Sequence, residues 1–342
     1  MSFRLETAAP VPVILVGAGF WGGEWLKSLP DASAVRLVGF VDAVPALLEA
    51  QVAAFGLDVI VGTSLAEVAA ASGAIGIINA TPHDAHLPVT LEALDLGLHV
   101  LGEKPLASTL EQAFQLARAA EAADRLFMVG QSRSYIDHLF AMRDAVGGVA
   151  PASLSQRFLG RAGEGTGFRH TMQSPLLTDM SIHHFDSARL VLGQDPVWVH
   201  CVESNPAWSW FAGDAVAQAT FGMSDGTIYD YQGSWVELGQ GTSWNAEWSI
   251  STATGSISWN GEDAAVQTTD NGAAPLVGTS EHGEYLVGSA TAFADALHTG
   301  VDPRGIAREN IMSLAMVHAA MQSSRTGQRV VISDLIAAAE RA

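Results

Sequence analysis

Two regimes of apolar and polar residues follow one another along this chain. Up to Gln131, short continuous apolar runs alternate with longer stretches of helical period. The runs are Val13 to Val16, Val35 to Val41, Val59 to Val61, Ala74 to Ala80, His99 to Leu101 and Leu126 to Val129. Short runs of this kind read as strands buried on both faces. The segments between them read as helices: one starting at Phe20, then Pro45 to Phe55, Leu65 to Ala71, His83 to Gly97 and Thr109 to Ala123. Gly56 closes the second helix and Ser64 caps the third, while Ser108 and Glu111 offer a capping box to the last. Strands alternating with helices through short links imply right-handed crossovers and a doubly wound parallel sheet.

After Gln131 the pattern changes. Tyr135 to Val146 and Pro175 to Leu192 read as helices. From Leu154 onward, apolar and polar residues often alternate, the signature of a half-buried strand. Ser224-Asp225-Gly226-Thr227 and Thr254-Gly255 mark hairpin turns. Two further helices, near Glu284 to Thr299 and Gly305 to Ser323, precede a last strand, Val330 to Ile332. The expectation is an α/β Rossmann domain over residues 1–131 and an α+β domain with an antiparallel sheet over 132–342. The glycine-rich segment Gly160 to Gly167 is a candidate lid, with a plain connection as the competing reading.

The first strand runs into Gly17, Gly19 and Gly22, spaced G-x-G-x-x-G, and a helix with Phe20, Trp21 and Trp25 at its start. Gly17 permits a tight turn, Gly19 lets a pyrophosphate reach the backbone, and Gly22 lets helix and strand pack closely. The N–H groups at the helix start then face the phosphates. Asp42 ends the second apolar run twenty residues after Gly22, where a dinucleotide fold places a carboxylate for the ribose hydroxyls. Thr81 and Pro82 follow the fourth run, at the ligand edge of a parallel sheet. The competing reading is a structural glycine turn, with Asp42 capping the next helix.

Composition narrows the class. The chain has 342 residues, 48% of them hydrophobic and 15% charged, enough for two domains with large cores. A formal net charge of −19 argues against nucleic acid or an anionic membrane as partner. The single cysteine, Cys201, excludes an intrachain disulfide and suits a reducing cytoplasm; it reads as a buried small residue. The first residues lack the basic start and apolar core of a signal peptide, and no apolar stretch reaches the length of a membrane span. Of seventeen basic residues only Lys27 and Lys104 are lysine. Arginine does not readily replace a lysine that acts as a compact donor of adjustable pKa, which singles out Lys104.

Three groups of residues resemble the glucose–fructose oxidoreductase and inositol dehydrogenase family, Gfo/Idh/MocA. They are the glycine turn, the triplet Glu103-Lys104-Pro105, and Asp179-Met-Ser-Ile-His183-His-Phe-Asp186. The last matches the family pattern D-x-G-x-H-x-x-D, with Ser181 where glycine is usual, which puts in question how closely that helix approaches a nicotinamide. The resemblance extends over nearly the whole chain, down to the closing segment from Phe293 to Val331. It implies a Rossmann domain followed by an α+β domain with an open, mostly antiparallel sheet. It also implies that Lys104, Asp179 and His183 are catalytic. Gly17, Gly19, Phe20, Trp21, Gly22, Asp42, Thr81, Pro82, His86, Glu103 and Lys104 are the expected cofactor-binding residues. For His86, which matches the family's histidine after the fourth strand, orienting that loop is the favoured role.

Asp179, His183 and Asp186 are spaced to share one helix face, with His184 pointing elsewhere. A His–carboxylate face beside a nicotinamide suits proton transfer, though a satisfied buried pair has the same spacing. No metal is expected, because no cysteine or carboxylate cluster completes a site around His83, His86 and His183. Arg133, Tyr135, Arg161 and Arg169 are candidates for holding a polar substrate. Seven of nine tryptophans follow residue 190 and read mainly as sheet or interface packing, with Trp208, Trp210 and Trp244 as candidates for stacking on a sugar ring.

The expected activity is hydride transfer between NAD, rather than NADP, and a secondary hydroxyl of a sugar, sugar acid or cyclitol, in a cytoplasmic homodimer or homotetramer. One alternative is an enzyme that retains NAD and uses transient oxidation for elimination or sugar–sugar redox exchange. Another is a non-catalytic dinucleotide-binding regulatory protein.

Overall fold

The computed structural model describes residues 4–5, 9–147, 151–161 and 167–342. The chain forms two compact units, Met1–Tyr135 with Glu281–Ile311, and Ile136–Ser280 with Met312–Ala342. Among the described residues no helix is long and apolar enough to cross a membrane.

The first unit is the Rossmann domain. Its elements alternate: β1 (Val11–Val16), α1 (Phe20–Ser28), β2 (Val35–Val41), α2 (Pro45–Phe55), β3 (Ile60–Gly62), α3 (Leu65–Ser72), β4 (Gly76–Asn79), α4 (His83–Asp95), β5 (His99–Glu103), α5 (Leu110–Ala123) and β6 (Phe127–Gly130). The six strands form one parallel sheet in the order β3-β2-β1-β4-β5-β6. The order reverses between β1 and β4, where a doubly wound sheet opens a crevice at its carboxyl edge. Gly17, Thr81 and Lys104 all follow strand ends on that edge. Gly56 takes the left-handed conformation that ends α2, and Ser64 accepts from the Glu67 N–H as expected. The capping of α5 is corrected by one residue: Thr109, not Ser108, accepts from the backbone of Gln112. Thr109-x-x-Gln112 satisfies the same capping pattern as Ser108-x-x-Glu111, so spacing does not choose between them.

In the second unit, α6 (Asp137–Val146) starts two residues later than expected, because Tyr135 belongs to a 3₁₀ turn, Ser132–Tyr135. A π-type turn, Leu176–Ser181, runs directly into α7 (Ile182–Leu192). Among the described residues nine strands form the sheet: β7 (Ser153–Leu159), β8 (Pro196–Ser204), β9 (Val216–Met223), β10 (Ile228–Ser234), β11 (Glu247–Thr252), β12 (Gly255–Trp259), β13 (Val266–Thr269), β14 (Gly272–Pro275) and β15 (Val330–Val331). Their order is β14-β13-β12-β11-β7-β10-β9-β8-β15, antiparallel except for β7 beside β10. The two hairpin turns join β9 to β10 and β11 to β12 as expected.

Alternation sorts the faces of this sheet. Tyr229, Tyr231, Phe221, Trp248, Ile250 and Ile257 are buried, and Phe185 of α7 packs edge-on against Phe221, Tyr229 and Tyr231 at 4.9–6.2 Å. The opposite face carries Ser155, Arg157, Gln218, Asp230, Gln232, Glu247, Ser249, Ser256 and Ser258. The strand aromatics are therefore already covered by helices. On the same sheet Val197 and Val202 of β8 are exposed apolar side chains.

α8 (Tyr285–Thr299) departs from the expected linear split at 131/132. Its face Leu286, Ala290, Phe293, Ala294 and Leu297 is buried in the core of the first unit with Val13, Leu15, Ile78 and Leu101. Periodicity predicts that this helix has an apolar face but not which sheet the face covers. α9 (Ala307–Thr326) follows, and β15 is succeeded by α10 (Ile332–Arg341), which corrects the expectation of a strand reaching Ile332. Residues 162–166 of the candidate lid lie outside the described residues.

Candidate active site

The expected site residues fall into two groups, one in each unit. In the first unit the glycine turn has the geometry of a phosphate cradle. Gly17 adopts φ +109°, and a Cβ there would lie 2.7 Å from the Ala80 carbonyl oxygen. At Gly22 a Cβ would lie 2.0 Å from the Gly17 carbonyl oxygen. Both glycines are needed to bring β1, β4 and α1 together. Gly19 differs: a Cβ there would meet nothing within 4 Å, so the backbone at the start of α1 faces open space. These residues fit a dinucleotide pyrophosphate, which needs bare backbone N–H groups at a helix start.

Asp42 closes the turn from the next strand. One carboxylate oxygen accepts from the Ala18 N–H at 2.6 Å and the other from the Val44 N–H at 2.7 Å. These bonds fix the carboxylate beside the glycine turn and leave acceptor capacity on each oxygen. Phe20 is 73% exposed and meets Trp21 edge-on at 5.5 Å. Glu103, one of the expected cofactor residues, also serves the framework. Buried in β5, it accepts from the Trp25 indole N–H at 2.9 Å and so ties β5 to α1.

His86 likewise meets protein. Its Nδ1 lies 2.8 Å from the Pro105 carbonyl oxygen and its Nε2 3.0 Å from that of Thr81. It thereby braces the loop after β4 against the loop after β5, which favours the orienting role over a cofactor contact. Burial pushes its pKa down, and the nearby Lys104 charge adds to this, while the two carbonyls and Asp84 pull it up. The Thr81 hydroxyl donates to Asn79 Oδ1 at 2.6 Å, which holds the residues before Pro82 and the start of α4. Lys104 is 3% exposed, a lysine placed in the interior at a strand end.

In the second unit, Asp179 sits in the π-type turn and His183 in the first turn of α7, 4% and 7% exposed. Arg169 donates through Nε to Asp179 Oδ2 at 2.5 Å. Sequence spacing could nominate Arg169 only as a polar residue; the pair arises because the turn Phe168–Thr171 folds back on the helix. Asp186 is corrected: it accepts from Ser313 at 2.6 Å and lies beside Arg189, so it anchors α7 to α9. Ser181, the departure from the family glycine, is fully buried with its hydroxyl 3.2 Å from the Leu176 carbonyl oxygen and 3.0 Å from the Tyr231 hydroxyl. Its side chain faces the sheet. His184 contacts the Tyr231 hydroxyl and the Trp244 carbonyl, each at 3.1 Å, a structural pairing.

The substrate candidates separate. Tyr135 is buried in the core of the first unit, edge-on to His282 at 6.2 Å; Arg133 is half-buried beside it in the chain. Arg161 and Arg169 instead join a set of aromatic rings. Arg169 lies over Trp235 at 5.9 Å from the ring centroid and Arg161 over Trp210 at 5.6 Å. Trp208 and Trp244 are exposed, 61% and 46%.

Residues 11–131 match the model of an oxidoreductase family with an NAD-binding Rossmann fold, GFO_IDH_MocA. An inositol 2-dehydrogenase of Rhizobium meliloti is 28% identical over 198 residues, 54% of this chain and 56% of that protein. The uncharacterized protein y4oX of Sinorhizobium fredii is 25% identical over 356 aligned positions, 95% of this chain and 96% of its own. Apart from y4oX, the chain spans about half the length of the curated relatives it matches, 54–57% of each. In three dimensions it is similar to an oxidoreductase from Agrobacterium radiobacter solved in complex with NAD+, L-tartaric acid and magnesium. That likeness has TM-score 0.84 and 21% identity, and covers 95% of this chain and 99% of that one. Residues 11–131 thus resemble the NAD-binding Rossmann domain of the Gfo/Idh/MocA oxidoreductase family, and the chain as a whole shares the fold of the solved oxidoreductases it is similar to.

Proposed function

We propose that the chain is an NAD-dependent dehydrogenase acting on a secondary hydroxyl of a small polyhydroxylated substrate: a sugar, a sugar acid or a cyclitol. One observation carries this. A chain whose glycine turn leaves open space at Gly19 also buries Asp179 and His183 one turn apart on a second helix. The inositol 2-dehydrogenase relative and the NAD+ complex of the Agrobacterium oxidoreductase support the same reading.

When bound, NAD accepts or returns the hydride, and the protein handles the hydroxyl proton. His183 is the base that takes this proton; an ordinary imidazole has a pKa of about 6.5, close to working pH. Asp179 binds the substrate hydroxyl or orients the imidazole, with its own position set by Arg169. Lys104 donates to the reacting oxygen as negative charge builds on it. Base and helper roles can exchange between His183 and Lys104.

Asp42 favours NAD over NADP. Its carboxylate accepts hydrogen bonds from ribose hydroxyls and repels a 2′-phosphate, and no arginine or lysine stands in the ten residues after it to offset that charge. The experiment is a panel of polyols, sugars and sugar acids with NAD, read by absorbance of the reduced cofactor. Reduction with at least one compound, and weaker efficiency with NADP, is expected. Silence across the panel counts against the activity, and equal or better efficiency with NADP defeats the cofactor preference.

A further inference from the structure

Close to Asp179 the second unit gathers hydrogen-bond donors on an aromatic wall. Trp235 stacks on Phe211 at 5.8 Å and 12° between planes, and Phe211 stacks on His170 at 5.5 Å. Trp210 leans on Phe211 at 5.8 Å, and the Trp210 carbonyl meets His170 Nδ1 at 2.8 Å. The wall carries two guanidinium groups, Arg169 over Trp235 and Arg161 over Trp210. A third donor is Trp235 itself. It is 2% exposed, and among the described residues no acceptor meets its Nε1–H. A buried N–H without an acceptor is costly, so such a group calls for a partner, which a water or a ligand oxygen can supply.

The chemistry of the three side chains is one-sided. Guanidinium and indole groups only donate. A hydroxyl both donates and accepts, so a site built for a neutral polyol mixes donors with acceptors. The three side chains are all donors, Arg169 already donating to Asp179, and such a set suits a group that accepts and carries negative charge. The planar guanidinium fork matches a carboxylate, and an aromatic face beneath it restricts its orientation. Asp179 and the chain's formal net charge of −19 disfavour a doubly charged phosphate more than a single carboxylate.

We propose that Arg161, Arg169 and Trp235 form a carboxylate subsite and that the substrate is a sugar acid, not a neutral sugar or cyclitol. This rests on the dehydrogenase reading above. The carboxylate accepts from the Trp235 N–H and the guanidinium groups, and the hydroxyls of the same molecule are left for Asp179 and His183.

The test compares six-carbon aldonates, uronates and aldarates with the matching neutral sugars, polyols and myo-inositol, and with sugar phosphates. Turnover with NAD and equilibrium binding in the presence of NAD are both measured. The acids are expected to bind and turn over best. Trp235→Phe keeps the ring and removes the N–H, and Arg161→Gln removes an exposed charge. Each should raise KM for the acid roughly tenfold while kcat and the KM of neutral analogues change little. A purely structural role would move both classes together. If Trp235→Phe does not fold, Arg161→Gln carries the comparison.

A neutral compound oxidised better than its acid overturns the subsite and leaves the dehydrogenase standing. Acids that bind but yield no NADH uphold the subsite and sink the dehydrogenase. Preference for a sugar phosphate overturns the carboxylate assignment. No binding or turnover of any acid overturns the inference outright.

Discussion

Gly19→Ala should separate cofactor binding from folding. Gly19 has φ −72° and ψ −161°, extended backbone open to any L residue, and an added Cβ has nothing within 4 Å. Alanine caps a helix less well than glycine, but it also stiffens the unfolded chain; each effect is within about 1 kcal/mol and they oppose one another. For a chain of this size the Tm should then move by no more than about 2–4 °C. The methyl occupies the space where a pyrophosphate meets the backbone. Losing one charge-assisted hydrogen bond, roughly 1.5–3 kcal/mol, raises the NAD Kd about 10- to 100-fold. Gly22→Ala is the opposite control. Its Cβ would sit 2.0 Å from the Gly17 carbonyl oxygen, a backbone clash that no rotamer relieves, so the Rossmann unit should lose stability heavily. Calorimetric NAD titration and thermal melting of both variants read the two effects separately. Wild-type NAD affinity in Gly19→Ala refutes the cradle, and an unchanged Tm in Gly22→Ala refutes the packing argument.

Two further expectations concern stability. Trp25→Phe deletes the indole N–H that binds Glu103 between buried side chains, and should cost about 1–3 kcal/mol, read as a lower denaturant midpoint at constant m. An unchanged midpoint would remove Glu103 from the structural framework. Burial pushes the Glu203 carboxyl up to about 7 from an ordinary 4.5, against the pull of its Ser174 hydrogen bond. The folded chain thus holds this proton more tightly than the unfolded one. Stability from Glu203 is full below pH 4.5 and is lost as pH rises to about 7. Glu203→Gln should flatten that part of the stability–pH curve, and persistence of the wild-type slope in the variant would dismiss the assignment.

Much of the first unit is legible in the sequence because each strand is a short apolar run between helices of clear period. The glycine turn and Asp42 stand out because their roles depend on spacing along the chain. Pairings between distant positions do not. Trp25 and Glu103 are 78 residues apart, and nothing local to either marks the bond. Asp186 has the right spacing for the site face but is drawn to Ser313, on a helix 127 residues later. In the π-type turn that carries Asp179, Leu176, Leu177 and Met180 follow helical spacing, so the sequence reads the turn as part of one helix, Pro175 to Leu192. α10 had a signal that could have found it: Ile332, Leu335, Ile336 and Ala339 follow helical spacing, but the preceding Val330-Val331 reads as strand and draws Ile332 with it. Trp235 is the site-adjacent residue that sequence reasoning missed, since its meaning comes from a stack with Phe211 and a guanidinium from a separate turn.

The central claim is that Lys104 and His183 handle the proton of an NAD-linked oxidation. Its most direct test is the turnover of His183→Ala and Lys104→Ala on a substrate found in the panel, with NAD affinity measured separately on each variant. Loss of a positioned acid–base group should lower the rate roughly 10²–10⁴-fold and leave the NAD Kd close to wild type. Near-normal turnover in both variants would contradict the account.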